Sequence, residues 1–290
     1  MNGGYTIFTD STCDIKPEVL DSWGVKYFSL VFYFTDDEST QYEDIAMPSK
    51  QFYDEMRKGR VAKTSGTNTD VIKEAFKAEL EKGNDILYLG FSSALSGTYN
   101  AGRLAADELS EDFPERKIYT VDTLAQSAGQ GLLLKLTCDR KAAGATLEEA
   151  RDFAEATKLH IGHWFTVDDL QYLRRGGRLS ATSAFLATVL NIKPVLHTDD
   201  NGCLVAVEKI RGRKNAINCL FDKYDKEAIH PMEGPVFFCH SDCMEDIELM
   251  KEILKERYGL EPEYIADVGP VIGSHIGPGT VSIFYECKNR

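Results

Sequence analysis

Residues 85–91, DILYLGF, form an apolar run bounded by an amphipathic segment that stops at Gly83 on one side and a helix-like segment on the other. A strand that is apolar on both faces must be covered on both faces, and crossover helices provide that cover. The same alternation fills the first half of the chain. YTIFT is followed by a short helix opened by Pro17 and closed by Gly24, while SKQFYDEMRKG and TDVIKEAFKAELEKG read as helices stopped by Gly59 and Gly83. VKYFSLVFYF reads as a second strand. After the central run come helix TYNAGRLAADEL, strand KIYTV and a long helix through GLLLKLTCDRKAAG. The pattern predicts a mainly parallel, Rossmann-like α/β sheet over residues 1–160.

Near residue 160 the pattern changes. TLEEARDFAEATKL carries a capping box at Thr146 and Glu149 and leads into the strand-like HWFTV. IKPVLHTDDNGCLVAVEKI reads as two strands around Asn201-Gly202, a hairpin signal. Then follow strand GPVFFC, helix MEDIELMKEILKERYG, strand PEYIA, a glycine-rich loop VIGSHIGPG and strand TVSIFYE. The expectation is a two-domain α/β chain whose second domain, residues 161–290, is mixed and contains antiparallel pairing.

Composition narrows the function. The net charge of −13 opposes attraction to a nucleic-acid backbone, so no nucleic-acid partner is expected. No apolar run approaches the ~18 residues that span a bilayer, which leaves transient membrane contact but no stable insertion. The opening MNGGYTIFTDST lacks the pattern of a secretory signal, and the seven scattered cysteines suit reduced thiols, so a cytoplasmic location is expected. CHSDC at 239–243 has no second half with ligand spacing, and reads as buried thiols rather than a metal site.

The chemistry concentrates where strands hand over to helices. FSSALSGTYNAG places Ser92, Ser93, Ser96 and Thr98 around Gly97 directly after the apolar run, where ligands bind in parallel α/β sheets. One hydroxyl suffices to cap a helix, so the surplus suits a seat for an anion. FTDSTCD after the first strand and VAKTSGTNTD, with Thr64, Ser65, Thr67 and Thr69 around Gly66, repeat the theme. No GxxxxGK[ST] loop, GxGxxG fingerprint, HExxH helix or GxSxG elbow occurs, so no nucleotide or cofactor site is expected. In the second half, Arg174, Arg175 and Arg178 flank a Gly-Gly turn, a second basic cluster runs from Lys209 to Lys214, and His275 stands among Gly273, Gly277 and Gly279.

Together FTDSTCD, KTSGTNT, SSALSGTYNAG, the VDT at Val121 to Thr123, LRRGGRLS and GPVIGSHIGPGTV resemble the DegV family, in order and over essentially the whole chain. The resemblance implies a two-domain α/β protein that holds one long-chain fatty acid with its carboxylate near the domain junction. It further implies the lipid-binding subunit of a bacterial fatty acid kinase, in which a separate ATP-binding subunit phosphorylates the carboxylate for phospholipid synthesis. Carried over, Thr64 and Ser96 bind the carboxylate with Ser65 and Ser93 close by, and His275 joins the head-group network. Arg178 and Arg211 serve the phosphorylated head group or partner docking. Where the family commonly has a TSQP-like sequence, this chain has Thr64-Ser65-Gly66-Thr67. AFLATVL at Ala184 to Leu190 suits a tunnel wall and an ordinary core equally.

The same hydroxyl rim also suits a stand-alone phosphatase or transferase acting on a small phosphorylated or carboxylated substrate. That alternative lacks a recognisable catalytic set.

Overall fold

The computed structural model describes residues 4–179 and 191–290. The first half runs β1 (Tyr5–Asp10), a single 3-10 turn at Ser11–Cys13, α1 (Pro17–Ser22), β2 (Val25–Phe28), β3 (Val31–Phe34), β4 (Asp37–Glu43), α2 (Ser49–Arg57), β5 (Ala62–Ser65), α3 (Thr69–Leu80) and β6 (Asp85–Gly90). It continues with α4 (Thr98–Asp112), β7 (Ile118–Asp122), α5 (Ala128–Ala142) and α6 (Leu147–Thr157). Beyond these lie β8 (Ile161–Thr166), α7 (Gln171–Arg175), β9 (Ile192–Thr198), β10 (Leu204–Arg211), α8 (Arg213–Glu227), β11 (Val236–His240), α9 (Met244–Tyr258), β12 (Tyr264–Asp267), α10 (Pro270–Ile276) and β13 (Val281–Glu286).

Three sheets result. The order β2-β1-β6-β7 is wholly parallel, as the unbroken apolar runs require, and β6 is buried from Ile86 to Gly90. The six-stranded sheet β10-β9-β8-β13-β11-β12 is antiparallel except for the β11–β12 pair. A small antiparallel sheet, β4-β3-β5, stands apart. Helix α5 touches strands of both large sheets, and its segment Ala128–Leu134 is buried throughout. Its one polar side chain there, Gln130, is satisfied by Thr9 Oγ1 at 3.0 Å, so the segment can be buried on every side.

Several elements differ from expectation. VKYFSLVFYF is not one strand: it breaks at Ser29–Leu30, so β2 joins the parallel sheet and β3 the small one. Leu30 N–H donates to Ser11 Oγ at 3.1 Å and its carbonyl accepts Asp44 N–H at 2.9 Å, which satisfies that backbone outside any ladder. VIGSHIGPG is not simply a loop, because Pro270–Ile276 is the helix α10, closed by Gly277 at φ +73°. Glycine is accepted inside it at Gly273 because a Cβ there would stand 2.5 Å from the Tyr53 hydroxyl. The polar, largely exposed β4 carries little of the alternation that marks a strand and was not anticipated.

Other expectations are met. Thr146 and Glu149 form a complete capping box on α6. Asn201-Gly202 lies in the turn between antiparallel β9 and β10, with Gly202 at φ +76° and Asp199 Oδ1 accepting the amides of Asn201 and Cys203. All seven cysteines are free thiols, and burial pushes Cys239 and Cys243 up to about 12. Ala184–Leu190 and Ser180 lie outside the described residues.

Candidate functional site

The hydroxyl-rich turns converge. β5 delivers Thr64 and Ser65, the turn before α4 delivers Ser96 and Gly97, and α10 delivers His275 to one cavity of about 230 Å³. Leu30, Phe91, Leu95, Leu204, Ile272 and Ile276 give it apolar walls, while Thr12, Gln126 and Arg178 add polar groups. The first amides of α4 have no helical carbonyl in front of them, so the helix end bordering this cavity favours an anion.

Thr64 Oγ1 and His275 Nε2 are 3.0 Å apart. Burial, and then the neighbouring Arg178 charge, push the His275 imidazole down to about 4, so the ring is neutral at pH 7. Among the described residues its Nδ1 has no hydrogen-bond partner, and it faces Gly176, where a Cβ would come within 2.4 Å of it. With its proton on Nε2 the ring donates to Thr64 Oγ1, and with it on Nδ1 the ring accepts from the Thr64 hydroxyl. In the first of these forms the Thr64 hydroxyl hydrogen is free to donate into the cavity.

Arg178 borders the same place from the turn after α7. Its Nε donates to Leu95 O at 3.0 Å and Nη1 to Gly176 O at 2.6 Å. Among the described residues, carbonyls rather than a carboxylate hold it. Thr64, Arg178 and His275 also line an adjoining cavity of about 250 Å³ with Lys63 and Arg175. These three side chains therefore form a shared wall, apolar-backed on one side and basic on the other.

The serines of FSSALSGTYNAG divide by role. Ser96 lines the cavity and its hydroxyl is 2.9 Å from Thr98 Oγ1. Ser92 is fully buried and donates to Gly202 O at 2.9 Å, tying the β9–β10 hairpin to the parallel sheet. Ser93 gives its amide to Asp122 and is not among the residues lining either cavity. Ser65 is exposed at the cavity edge, and Arg211 stands exposed at the end of β10, away from both cavities.

Sequence reasoning missed Gln126. It sits between Leu124 at φ +50° and Ser127 at φ +51°, two non-glycine residues in a rarely adopted backbone region. TLAQSAG contains no glycine before Ser127, so nothing local announced that turn. Asp10, whose carboxyl is raised mainly by burial, accepts from the amides of Thr12 and Phe91 and binds the first two hydroxyl-rich turns together. Among the described residues, no group of three His, Cys, Asp or Glu is placed to hold a metal ion, and no helix is long and apolar enough to cross a membrane.

The chain is similar to known proteins over nearly its whole length. A family model described as "Uncharacterised protein, DegV family" matches residues 5–288. A DegV domain-containing protein of Clostridium perfringens is 39% identical over 281 residues, 97% of each chain. Among solved structures, a Thermotoga maritima protein described as revealing a fatty acid binding function superposes with a TM-score of 0.83 at 30% identity, over 98% of this chain and 99% of its own. A DegV family protein from Thermus thermophilus, described by its fatty acid binding, gives 0.88 at 28% identity over 98% and 99%.

Proposed function

We propose that this chain, which belongs to the DegV family, binds one long-chain fatty acid and presents its carboxylate to a separate ATP-dependent kinase. The observation that carries this reading is a single cavity with apolar walls and a hydroxyl-lined end at Thr64 and Ser96. The fatty acid binding described for two relatives of the same fold supports it.

In this reading Thr64 and Ser96 donate to the carboxylate, Ser65 lies at its edge, and Ser93 shapes the adjoining turn. His275 stands behind Thr64 and sets the direction of its proton. Neutral donors leave electron density on the carboxylate oxygen that must attack a phosphoryl group, whereas a direct lysine contact would withdraw it. Arg178, and Arg211 further out, serve the phosphorylated head group or the docked kinase. Residues 1–160 form the domain with the carboxylate site, and residues 161–290 the domain covering the acyl chain. Burial contributes about 0.8 kcal/mol per methylene before ordering costs, so the tail supplies most of the affinity. The setting is cytoplasmic, with transient membrane contact for loading.

Denaturing organic extraction followed by mass spectrometry, with native mass spectrometry to count ligands, tests the binding. One long-chain fatty acid per chain is expected. A lipid-free protein that also refuses added fatty acids overturns the reading. Acyl phosphate should form with ATP only when an ATP-binding partner is added, and its formation by this chain alone would return the protein to the enzymes.

A further inference from the structure

Helix α10 has little local reason to exist. It is seven residues long, carries Gly273 in its middle and has Gly269 as its N-cap, with no side-chain cap of its own. Helices this short are marginal alone, and an interior glycine weakens them further.

Its caps arrive from two distant loops. Gly269 N–H donates to Asp14 Oδ1 and Val271 N–H to Asp44 Oδ1, both at 2.8 Å, while Pro270 between them has no N–H to satisfy. The second oxygens are held as well: Ser127 Oγ donates to Asp14 Oδ2, and Ser11 Oγ donates to Asp44 Oδ2 at 2.8 Å. Both carboxyls are buried, at 8% and 3% exposure, and burial raises both above the usual carboxylate range, so they serve the helix as hydrogen-bond acceptors. Tyr53 adds a lateral brace, its hydroxyl donating to Val268 O at 3.0 Å. The far end of the braced helix carries His275 to Thr64.

We propose that Asp14 and Asp44 are positioning residues of the ligand site: by fixing the first turn of α10 they set where His275 stands against Thr64, and so how tightly the cavity holds an anionic head group. The binding half of this inference rests on the fatty acid reading above. Neither carboxylate touches the ligand. Each acts through the helix.

A double-mutant cycle on the full chain tests it, using Asp44→Ala, His275→Ala and the combination, with displacement of a fluorescent C18 fatty acid as the binding readout. Asp44→Ala should cost about tenfold in affinity, the scale of one lost hydrogen bond to a charged group, and should cost nothing further once His275 is gone. Asp44→Asn keeps an acceptor for Val271 N–H and should recover most of the affinity. In histidine-labelled protein, Asp44→Ala should move the His275 ring nitrogen resonances, which a merely structural cap would leave in place. Full additivity with His275→Ala, or unmoved His275 resonances, overturns the proposal. If Asp44→Ala does not fold, Ser11→Ala, which removes the hydroxyl holding Asp44 Oδ2, carries the same cycle with a smaller loss. Failure of the unaltered chain to bind any fatty acid counts against the functional reading, and the His275 resonances, which need no ligand, then decide the positioning alone.

Discussion

Thr64 Oγ1 and His275 Nε2 stand 3.0 Å apart although 211 residues of chain separate them. The contact joins a strand of the small sheet to a helix near the carboxyl terminus, and it restricts the Thr64 hydroxyl. A donor whose direction is set before a ligand arrives loses less freedom on binding.

Thr64→Val keeps the side-chain shape and removes that donor. Displacement of a fluorescent fatty acid should show affinity falling about tenfold, the scale of one hydrogen bond to a charged group. Affinity within twofold of the parent would remove Thr64 from the head-group contacts.

Ser92 and Ser96 should separate stability from binding. Ser92→Ala leaves Gly202 O without its donor and should lower stability by about 1–2 kcal/mol in urea unfolding, because that carbonyl is tied to a fully buried side chain. Ser96→Ala should leave the unfolding midpoint nearly unchanged and weaken fatty acid retention. The reverse pattern would exchange their roles.

Acid should expose His275. Its folded pKa of about 4 lies below the ordinary histidine value of 6.5, so the unfolded chain takes up the proton first. The stability this group contributes is complete above pH 6.5 and is lost as pH falls through about 4. The loss reaches about 3 kcal/mol when the shift is integrated. His275→Gln should flatten that part of the stability profile, and an unchanged acid limb would show that His275 is not the group titrating.

Asp44 should act in the opposite sense. Burial raises its carboxyl from 3.8 to about 6, against the lowering effect of its bonds from Val271 and Ser11. Its contribution is therefore present below pH 3.8 and lost as pH rises through about 6, on the order of 2–3 kcal/mol. Asp44→Asn, measured by unfolding at pH 4, 5, 6 and 7, should be flatter than the parent across this window. A slope as steep as the parent's would assign the titration to another group.

Much of the fold was legible because it rests on short-range chemistry. The run at 85–91 is apolar on both faces and had to be buried on both, Asn201-Gly202 supplied a turn, and Thr146 with Glu149 capped α6 within four residues. The surplus of hydroxyls at Ser92–Thr98 and Thr64–Thr69 likewise pointed to turns that share one cavity, since one cap needs only one hydroxyl.

What the sequence by itself determined, then, was the alternation of elements and the chemical character of the turns joining them, which depend on periodicity and neighbours a few residues apart. Tertiary structure decided which hydroxyl faces the cavity and which ties down the hairpin, because Ser92 meets Gly202 only after 110 residues of intervening chain. It decided the break at Leu30, where Ser11 and Asp44 supply the backbone's partners. It also made a helix of a glycine-rich segment, since the carboxylates that cap α10 come from residues 14 and 44, more than 220 positions away. A hydrogen bond saturates whichever partner folding brings within about 3 Å, and a one-dimensional pattern does not encode that proximity.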